Sequence, residues 1–401
     1  MKVLQINAVY GYASTGVITK DIQQCCLDNG IDAYVAFQKG HGTPNDHTYE
    51  IGNALDHKIH ALLSRIAGKQ AYFSSLATKG LLRYIAELNP DIVHLHNLHN
   101  NYVNLNMVLN YLANKDIKTV ITLHDCWYFT GGCFHYASVG CSRWQEGCGI
   151  CPKQKMDTPA LFYDASASIL KDRIKYLTAI ENLTIVGASE WVANECRKSM
   201  LGIKTVTCIH NGFDLEVFKP TTSDLKHQLG LDGKYVILGP ASKWLLPINK
   251  QTLNYFIDNM PGNYVLLLFG AGGNESIHSD KVRFYGYTRS REELVQLYSM
   301  ADVMVNVSRE DTLSSLNLEC QACGTPVVTY DATGSKETVD GSSGGICVKT
   351  GDYKELFSST IKMFNSMSEA MSAKCVKWIS NKFEKNSNYS KYVELYKSIL
   401  K

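Results

Sequence analysis

Residues 308–328 read SREDTLSSLNLECQACGTPVV, and this stretch decides the fold. It leaves a short β-branched run, Val303 to Val307, crosses a polar loop, and enters a helical segment closed by Gly324. A second apolar run, Pro326 to Tyr330, follows at once. A strand, helix, strand unit of this kind predicts parallel strands joined by crossover helices. The alternation extends backwards through Tyr235 to Gly239 and Tyr264 to Phe269, and forwards to Gly345 to Val348, with helices near Leu253, over Glu292 to Met300 and over Leu316 to Cys323. Before that, the runs Val3 to Asn7, Ala33 to Phe37, Ile92 to His96, Thr119 to Leu123, Leu183 to Ala188 and Thr205 to Ile209 predict another set of strands. The helical stretches among them are Gly16 to Asn29, Thr78 to Leu88, Leu105 to Asn114 and Glu190 to Ser199, and Pro90 stops the second of these. Between His210 and Lys234 the periodicity fades into turn residues, which predicts a domain boundary there. The fold class is α/β, with two doubly wound lobes and a ligand crevice at the strand carboxyl ends of each. The tail from Tyr353 to Lys401 reads as helical, interrupted by NKFEKNSNYS.

Composition narrows the function. The 401 residues are 19% charged, with 40 Lys+Arg against 38 Asp+Glu, so no global field favours nucleic acid and small-molecule chemistry is the better expectation. The opening MKVLQINAVYG is strand-like and interrupted by Gln5 and Asn7, unlike a signal peptide. With an odd count of 13 cysteines, thiols or metal ligands in a reducing cytoplasm are expected rather than a disulfide framework. No run of about 18 apolar residues is present to span a bilayer.

Four features carry chemistry. The loop Val9 to Gly16 after the first strand has the small residues that let a helix N-terminus approach a phosphate or sugar, but it is not G-x-G-x-x-G and lacks the later acidic residue of dinucleotide enzymes. His94, His96, His99 and His124-Asp125 fall at the carboxyl ends of predicted strands, where imidazoles orient hydroxyls or bind metal. Cys133, Cys141, Cys148 and Cys151 form C-x7-C-x6-C-x2-C in a Gly-rich loop, a candidate structural zinc site, with reduced thiols or a labile disulfide as the plainer reading. Asp311 and Glu319, eight positions apart, could both reach a hydroxyl-rich ligand over a helix N-terminus.

The block from Asp311 to Val328 resembles the carboxylate motif of retaining family-4 glycosyltransferases, with Asp311 in place of the usual first Glu, then Glu319 and Ala322-Cys323-Gly324-Thr325-Pro326-Val327-Val328. Further similar segments are Pro90 to His96, Leu123-His124-Asp125, Ala188-Ser189-Glu190, Asn211-Gly212-Phe213-Asp214 and Leu297 to Asp302, and the cysteine loop looks like that of a subgroup acting in bacterial surface-polysaccharide assembly. The resemblance implies the GT-B fold: two facing Rossmann-like doubly wound domains with an interdomain cleft. The expected divisions are 1–212, an acceptor-side domain with the cysteine loop at 126–154; 213–384, a nucleotide-sugar-binding domain; and 385–401, a helix packing back on the first domain.

By the same resemblance, Glu319 would hold ribose hydroxyls and Asp311 sugar hydroxyls, with Leu313, Ser314 and Ser315 beside them on the donor. His124 would sit against the transferred sugar, Gly16 and its neighbours would close over the diphosphate, and Lys250, with Lys243 in the family arginine's place, would neutralise the leaving group. His124, Asp311 and Lys250 are thus the expected catalytic set. Thr333 to Glu337 corresponds to the donor-side Gly-Gly-x-x-Glu loop, without its first Gly. The implied activity is retaining hexosyl transfer from a UDP- or GDP-sugar to a lipid-linked oligosaccharide or polysaccharide acceptor, in O-antigen, capsule or exopolysaccharide synthesis. No cofactor is required for this catalysis. The alternatives are a sugar-nucleotide epimerase on the same fold and a non-catalytic nucleotide-sugar binder. No nucleic acid partner is expected. The location is cytoplasmic, with peripheral contact to the inner membrane's cytoplasmic face a candidate through Lys58, Arg65, Lys69, Lys79 and Arg83.

Overall fold

The opening strand Lys2–Tyr10 (β1) buries successive residues rather than alternate ones: Val3, Leu4, Gln5, Ile6, Asn7 and Ala8 are all inside. Burial on both faces is the mark of a parallel strand covered by helices on either side. In the computed structural model, which describes residues 1–40, 45–157, 159–272, 277, 279–341, 344–366 and 368–401, every paired strand is parallel to its neighbours. The chain forms two units, Met1–Gly212 with Asn386–Lys401, and Phe213–Lys385.

The first unit holds seven strands: β1, Asp32–Gly40 (β2), Thr48–Glu50 (β3), Ile92–Leu95 (β4), Lys118–Leu123 (β5), Leu183–Gly187 (β6) and Thr205–Cys208 (β7). Their order is β3-β2-β1-β4-β5-β6-β7. The second unit holds Tyr235–Pro240 (β8), Tyr264–Phe269 (β9), Val282–Tyr285 (β10), Val303–Asn306 (β11), Val327–Tyr330 (β12) and Ile346–Val348 (β13), ordered β10-β9-β8-β11-β12-β13. The order in which successive strands are laid down reverses once in each sheet, between β1 and β4 in the first and between β8 and β11 in the second. Ligands of doubly wound sheets bind at such switch points, outside the strand carboxyl ends.

Two strands absent from the sequence reading, β3 and β10, are short edge strands; an edge needs only one neighbour and carries little hydrophobic signal. The helix Ala54–Ala67 carries Lys58 and Arg65, two of the cations expected on N-terminal helical segments, but its buried residues are the polar His57, His60 and Ser64. The tail differs as well. Helices Tyr353–Asn365, Glu369–Phe383 and Lys385–Ile399 occupy it, and NKFEKNSNYS breaks only at Glu384, whose backbone bridges Phe213. The last helix places Tyr389, Tyr392, Val393 and Tyr396 among Val3, Ile18, Ile22, Ala33 and Val120, inside the first unit's core.

Candidate functional site

In the second unit both switch-point loops hold the residues that the sequence singled out. After β8 the chain turns through the short helix Ala241–Trp244 and reaches Lys250 at the start of the helix Lys250–Asn259. After β11 it runs through Asp311 to Ser314, which precedes the helix Ser315–Ala322. Asn249 joins the two loops: almost fully buried, it donates through Nδ2 to the carbonyls of Lys243 and Val307, both at 3.0 Å, and accepts from Arg309 Nε at 3.2 Å. Neither Lys243 nor Lys250 has a side-chain partner among the described residues, and Lys250 is exposed. Asn249 and Arg309 escaped the sequence reading, because a joint between two distant loops leaves no spacing pattern.

Asp311 is held by its backbone. Its N–H donates to Thr333 Oγ1 at 2.8 Å, and its carbonyl accepts from Thr333 Oγ1 at 2.6 Å and from Gly334 N–H at 2.9 Å. A Cβ on Gly334 would lie 1.7 Å from the Thr312 carbonyl oxygen, so only glycine lets the loops after β11 and β12 touch. Asn306 organises the other side, donating to Ser314 Oγ at 3.0 Å and Asn317 Oδ1 at 2.8 Å. Leu313 and Ser314 are buried and Ser315 is partly open. Glu319 is half-buried and accepts one bond, from Tyr298 O–H at 2.9 Å, leaving the other carboxyl oxygen without a partner among the described residues. Burial pushes its carboxyl up to about 7, against the opposing pull of the Tyr298 bond and Arg291.

In the first unit Gly16 lies in the opening turn of the helix Ala13–Asp28, which has no side-chain cap and so leaves N–H groups available at its start. A Cβ there would sit 3.1 Å from the Val9 carbonyl carbon. Asn7 ties this loop to the one after β4, accepting from Asn97 N–H at 3.2 Å while donating to Val9 and Thr15 carbonyls.

The histidines form a chain whose proton positions follow from its end. Gln5 Nε2 donates to the Thr19 carbonyl at 3.1 Å, so its oxygen faces His96 Nε2 at 3.0 Å. An amide oxygen only accepts, so His96 carries its proton on Nε2 and its Nδ1 accepts from His124 Nε2–H at 3.1 Å. Burial lowers His124 to about 4, leaving it neutral at physiological pH. His124 Nδ1, without a partner among the described residues, is therefore an acceptor. Beside it His99 bonds Asp125 at 3.2 Å, and Asp125 also takes the Trp127 N–H at 2.8 Å. Burial raises the Asp125 carboxyl, but His99 and the Trp127 N–H outweigh it and hold the group below its ordinary value. His94 is fully buried between Tyr396 O–H at 2.6 Å and Thr122 Oγ1 at 2.8 Å, its ring centre 4.0 Å from that of His96. It is a packing histidine.

Cys133, Cys141, Cys148 and Cys151 all line one cavity, with Trp144, Arg143 and Lys153, and none is in a disulfide. Gly131 N–H points at Cys148 Sγ, 3.2 Å away. The loop's base rests on Arg173, whose guanidinium lies 3.6 Å from the Trp127 ring centre and donates to the Trp127 and Thr130 carbonyls. Among the described residues no three His, Cys, Asp or Glu side chains stand where they could hold a metal ion. No described helix is long and apolar enough to cross a membrane.

Residues 16–217 match the family model for Glycosyltransferase Family 4, and residues 244–366 match that for Glycosyl transferases group 1. An Escherichia coli chain named as a glycosyl transferase of colanic acid biosynthesis is 21% identical over 377 residues, 86% of each chain. A Staphylococcus aureus chain named as a capsular polysaccharide biosynthesis glycosyltransferase is 27% identical over 109 residues, covering 27% of this chain and 29% of that one. Among solved structures, sucrose-phosphate synthase from Thermosynechococcus elongatus superposes with a TM-score of 0.67 at 16% identity, over 100% of this chain and 99% of that one. Anabaena HepE in complex with UDP gives 0.65 at 15%, over 99% and 100%, and its complex with UDP-glucose gives 0.62.

Proposed function

Because the chain belongs to glycosyltransferase family 4 and has the GT-B fold, we propose that it transfers a sugar from a nucleotide-sugar donor to a lipid-linked or polysaccharide acceptor, with retention at the anomeric carbon, in surface-polysaccharide assembly. The observation that carries this reading is the joined pair of loops at the β8/β11 switch point. They hold two lysines without side-chain partners among the described residues and lead into a helix whose carboxylate has, among those residues, one oxygen uncommitted. The relatives named for colanic acid and capsule synthesis support the acceptor class. The neighbour that binds UDP and UDP-glucose supports a uridine donor over a guanosine one.

In this reading Glu319 accepts hydrogen bonds from ribose hydroxyls, and Asp311, with the Leu313 to Ser315 turn, receives the sugar. Lys250 and Lys243 meet the diphosphate. Departure of the nucleoside diphosphate gathers negative charge on the β-phosphate, so an ammonium there stabilises the transition state more than the ground state. In the first unit, the helix start at Gly16 offers N–H groups to phosphate, and His124 Nδ1 accepts a sugar hydroxyl. The acceptor hydroxyl attacks from the face that the diphosphate leaves, and a phosphate oxygen takes its proton. The enzyme works at the cytoplasmic membrane face, where a lipid-carried acceptor is found.

Incubation with UDP- and GDP-sugars and prenyl-diphosphate saccharides tests this. Transfer is expected; an isomerised donor would indicate an epimerase, and binding without turnover a non-catalytic protein. Undiminished turnover in both Glu319→Ala and Lys250→Ala would overturn the donor site.

For the cysteine loop we propose a structural zinc held by Cys133, Cys141, Cys148 and Cys151. The thiol donor set, the shared cavity and the Gly131 N–H directed at Cys148 support it, and binding would draw the thiols inward from their present positions. Elemental analysis should find one metal per chain. Its absence, with all four thiols open to alkylation, would remove the proposal.

A further inference from the structure

The helix Ala54–Ala67 is turned inside out. Its inward residues are polar: His57 Nε2 meets the Ile51 carbonyl at 3.0 Å, His60 Nδ1 meets Ser74 Oγ at 2.8 Å, and Ser64 is buried. Its outward residues are Leu55, Ile59, Leu62, Leu63 and Ile66, each between 38% and 67% exposed. At about 100° per residue these five fall within an arc of roughly 100°, so they form one continuous stripe. The stripe continues past the helix end. Leu161 N–H donates to the Arg65 carbonyl at 2.8 Å, which brings up Leu161, Phe162 and Tyr163, all 59–69% exposed. An open apolar surface of this kind marks an interaction site rather than ordinary scatter.

Charge selects the partner. Lys58 and Arg65 flank the stripe, Lys69 follows it, and none has an ion-pair partner among the described residues. The helix's one carboxylate, Asp56, is engaged by Ser74 O–H at 2.5 Å. An apolar face edged by unpaired cations, with aromatic rings at one end, fits the boundary of a bilayer carrying anionic head groups. We propose that the helix Ala54–Ala67, with residues 161–163, docks this protein on such a membrane. The proposal rests on the reading of a lipid-carried acceptor for its purpose and on this exposed face for its physical basis.

Sedimentation with phosphatidylcholine vesicles, with and without phosphatidylglycerol, tests it on the full chain. The wild type should bind the anionic vesicles and release as salt is raised. Lys58→Ala and Arg65→Ala should each weaken binding about fivefold, the ~1 kcal/mol of one cation near an anionic surface. Leu62→Glu should weaken it at least about tenfold, since a leucine loses its apolar burial. Wild type that stays in the supernatant, or variants that bind like it, would overturn the proposal. So would a lipid-free dimer that Leu62→Glu dissociates, because the stripe would then be a contact between two copies. Calorimetry with UDP on the same samples reports folding and the donor site separately. Vesicle binding without UDP binding would sink the donor site and leave the docking face standing.

Discussion

Glu319 has a carboxyl that its surroundings push toward neutrality, to about 7, chiefly through burial. A raised carboxyl ionises only as pH climbs through that value, and the ionised form is the better acceptor for ribose hydroxyls. UDP affinity measured by calorimetry should therefore strengthen from pH 6 to pH 8. Glu319→Gln should flatten the profile and weaken binding by roughly 1.5–3 kcal/mol, the usual worth of a hydrogen bond to a charged group. Gln5 acts further from the ligand, as a positioning residue. With Leu at that position His96 Nε2–H loses its acceptor, and the proton order along His96 and His124 is no longer fixed. Nitrogen-15 spectra of histidine-labelled protein should show His124 Nδ1 moving from the unprotonated toward the protonated range, with transfer slowed about tenfold, the worth of one hydrogen bond. An unchanged ring spectrum would contradict the assignment.

The helix Lys385–Ile399 shows what one element contributes. Its Tyr389, Tyr392 and Tyr396 are buried, and the last two bond Thr122 and His94. Three rings at roughly 150–250 Å² each, and about 25 cal/mol/Å², give on the order of 10 kcal/mol as an upper figure, comparable with the whole net stability of a domain. Removal of residues 386–401 should thus leave Phe213–Lys385 folded and the first unit open, which limited proteolysis would read as rapid cleavage confined to residues 1–212. The elements also show what the sequence could and could not disclose. β5, β9 and β11 are nearly continuous apolar runs, and such runs announce a parallel sheet. β3 and β10 are too short and too polar to do so. For the helix Ala54–Ala67 the sequence did not disclose which face is buried, because its apolar face looks outward, whereas amphipathic patterning is ordinarily read with the apolar face inward. At the site, His124 stood out by residue type at a strand end and Asp311 with Glu319 by their spacing, whereas Lys250 was legible only through the family resemblance. Gln5, Asn249 and Arg309 were not, since their roles exist only once distant loops meet.

Across the molecule the buried imidazoles set an acid limit. His60 and His124 are lowered to about 4, His94 to about 3, and His96 well below its ordinary value, in each case first by burial. All four lie in the first unit. Unfolded histidines take up protons near 6.5 while these do not, so the unfolded state binds more protons and stability falls as pH drops from about 6.5 toward 4. Thermal unfolding followed by calorimetry should show the first unit's transition shifting down steeply across that window, while the second unit's transition does not fall and rises somewhat, because its buried Glu319 holds a proton in the folded state over the same range. A common, pH-independent transition would show that the histidines are not buried neutral.

The discontinuity of the first unit also bears on how the protein is made. Residues 1–212 leave the ribosome with a gap in their core, and residues 213–385 are synthesised before 386–401 can fill it. The second unit therefore has its complete sequence first and can fold while the earlier one waits. Meanwhile the apolar floor around Val3, Ile18 and Val120 stays exposed for the translation time of more than 170 residues, a stretch in which a nascent chain depends on chaperones.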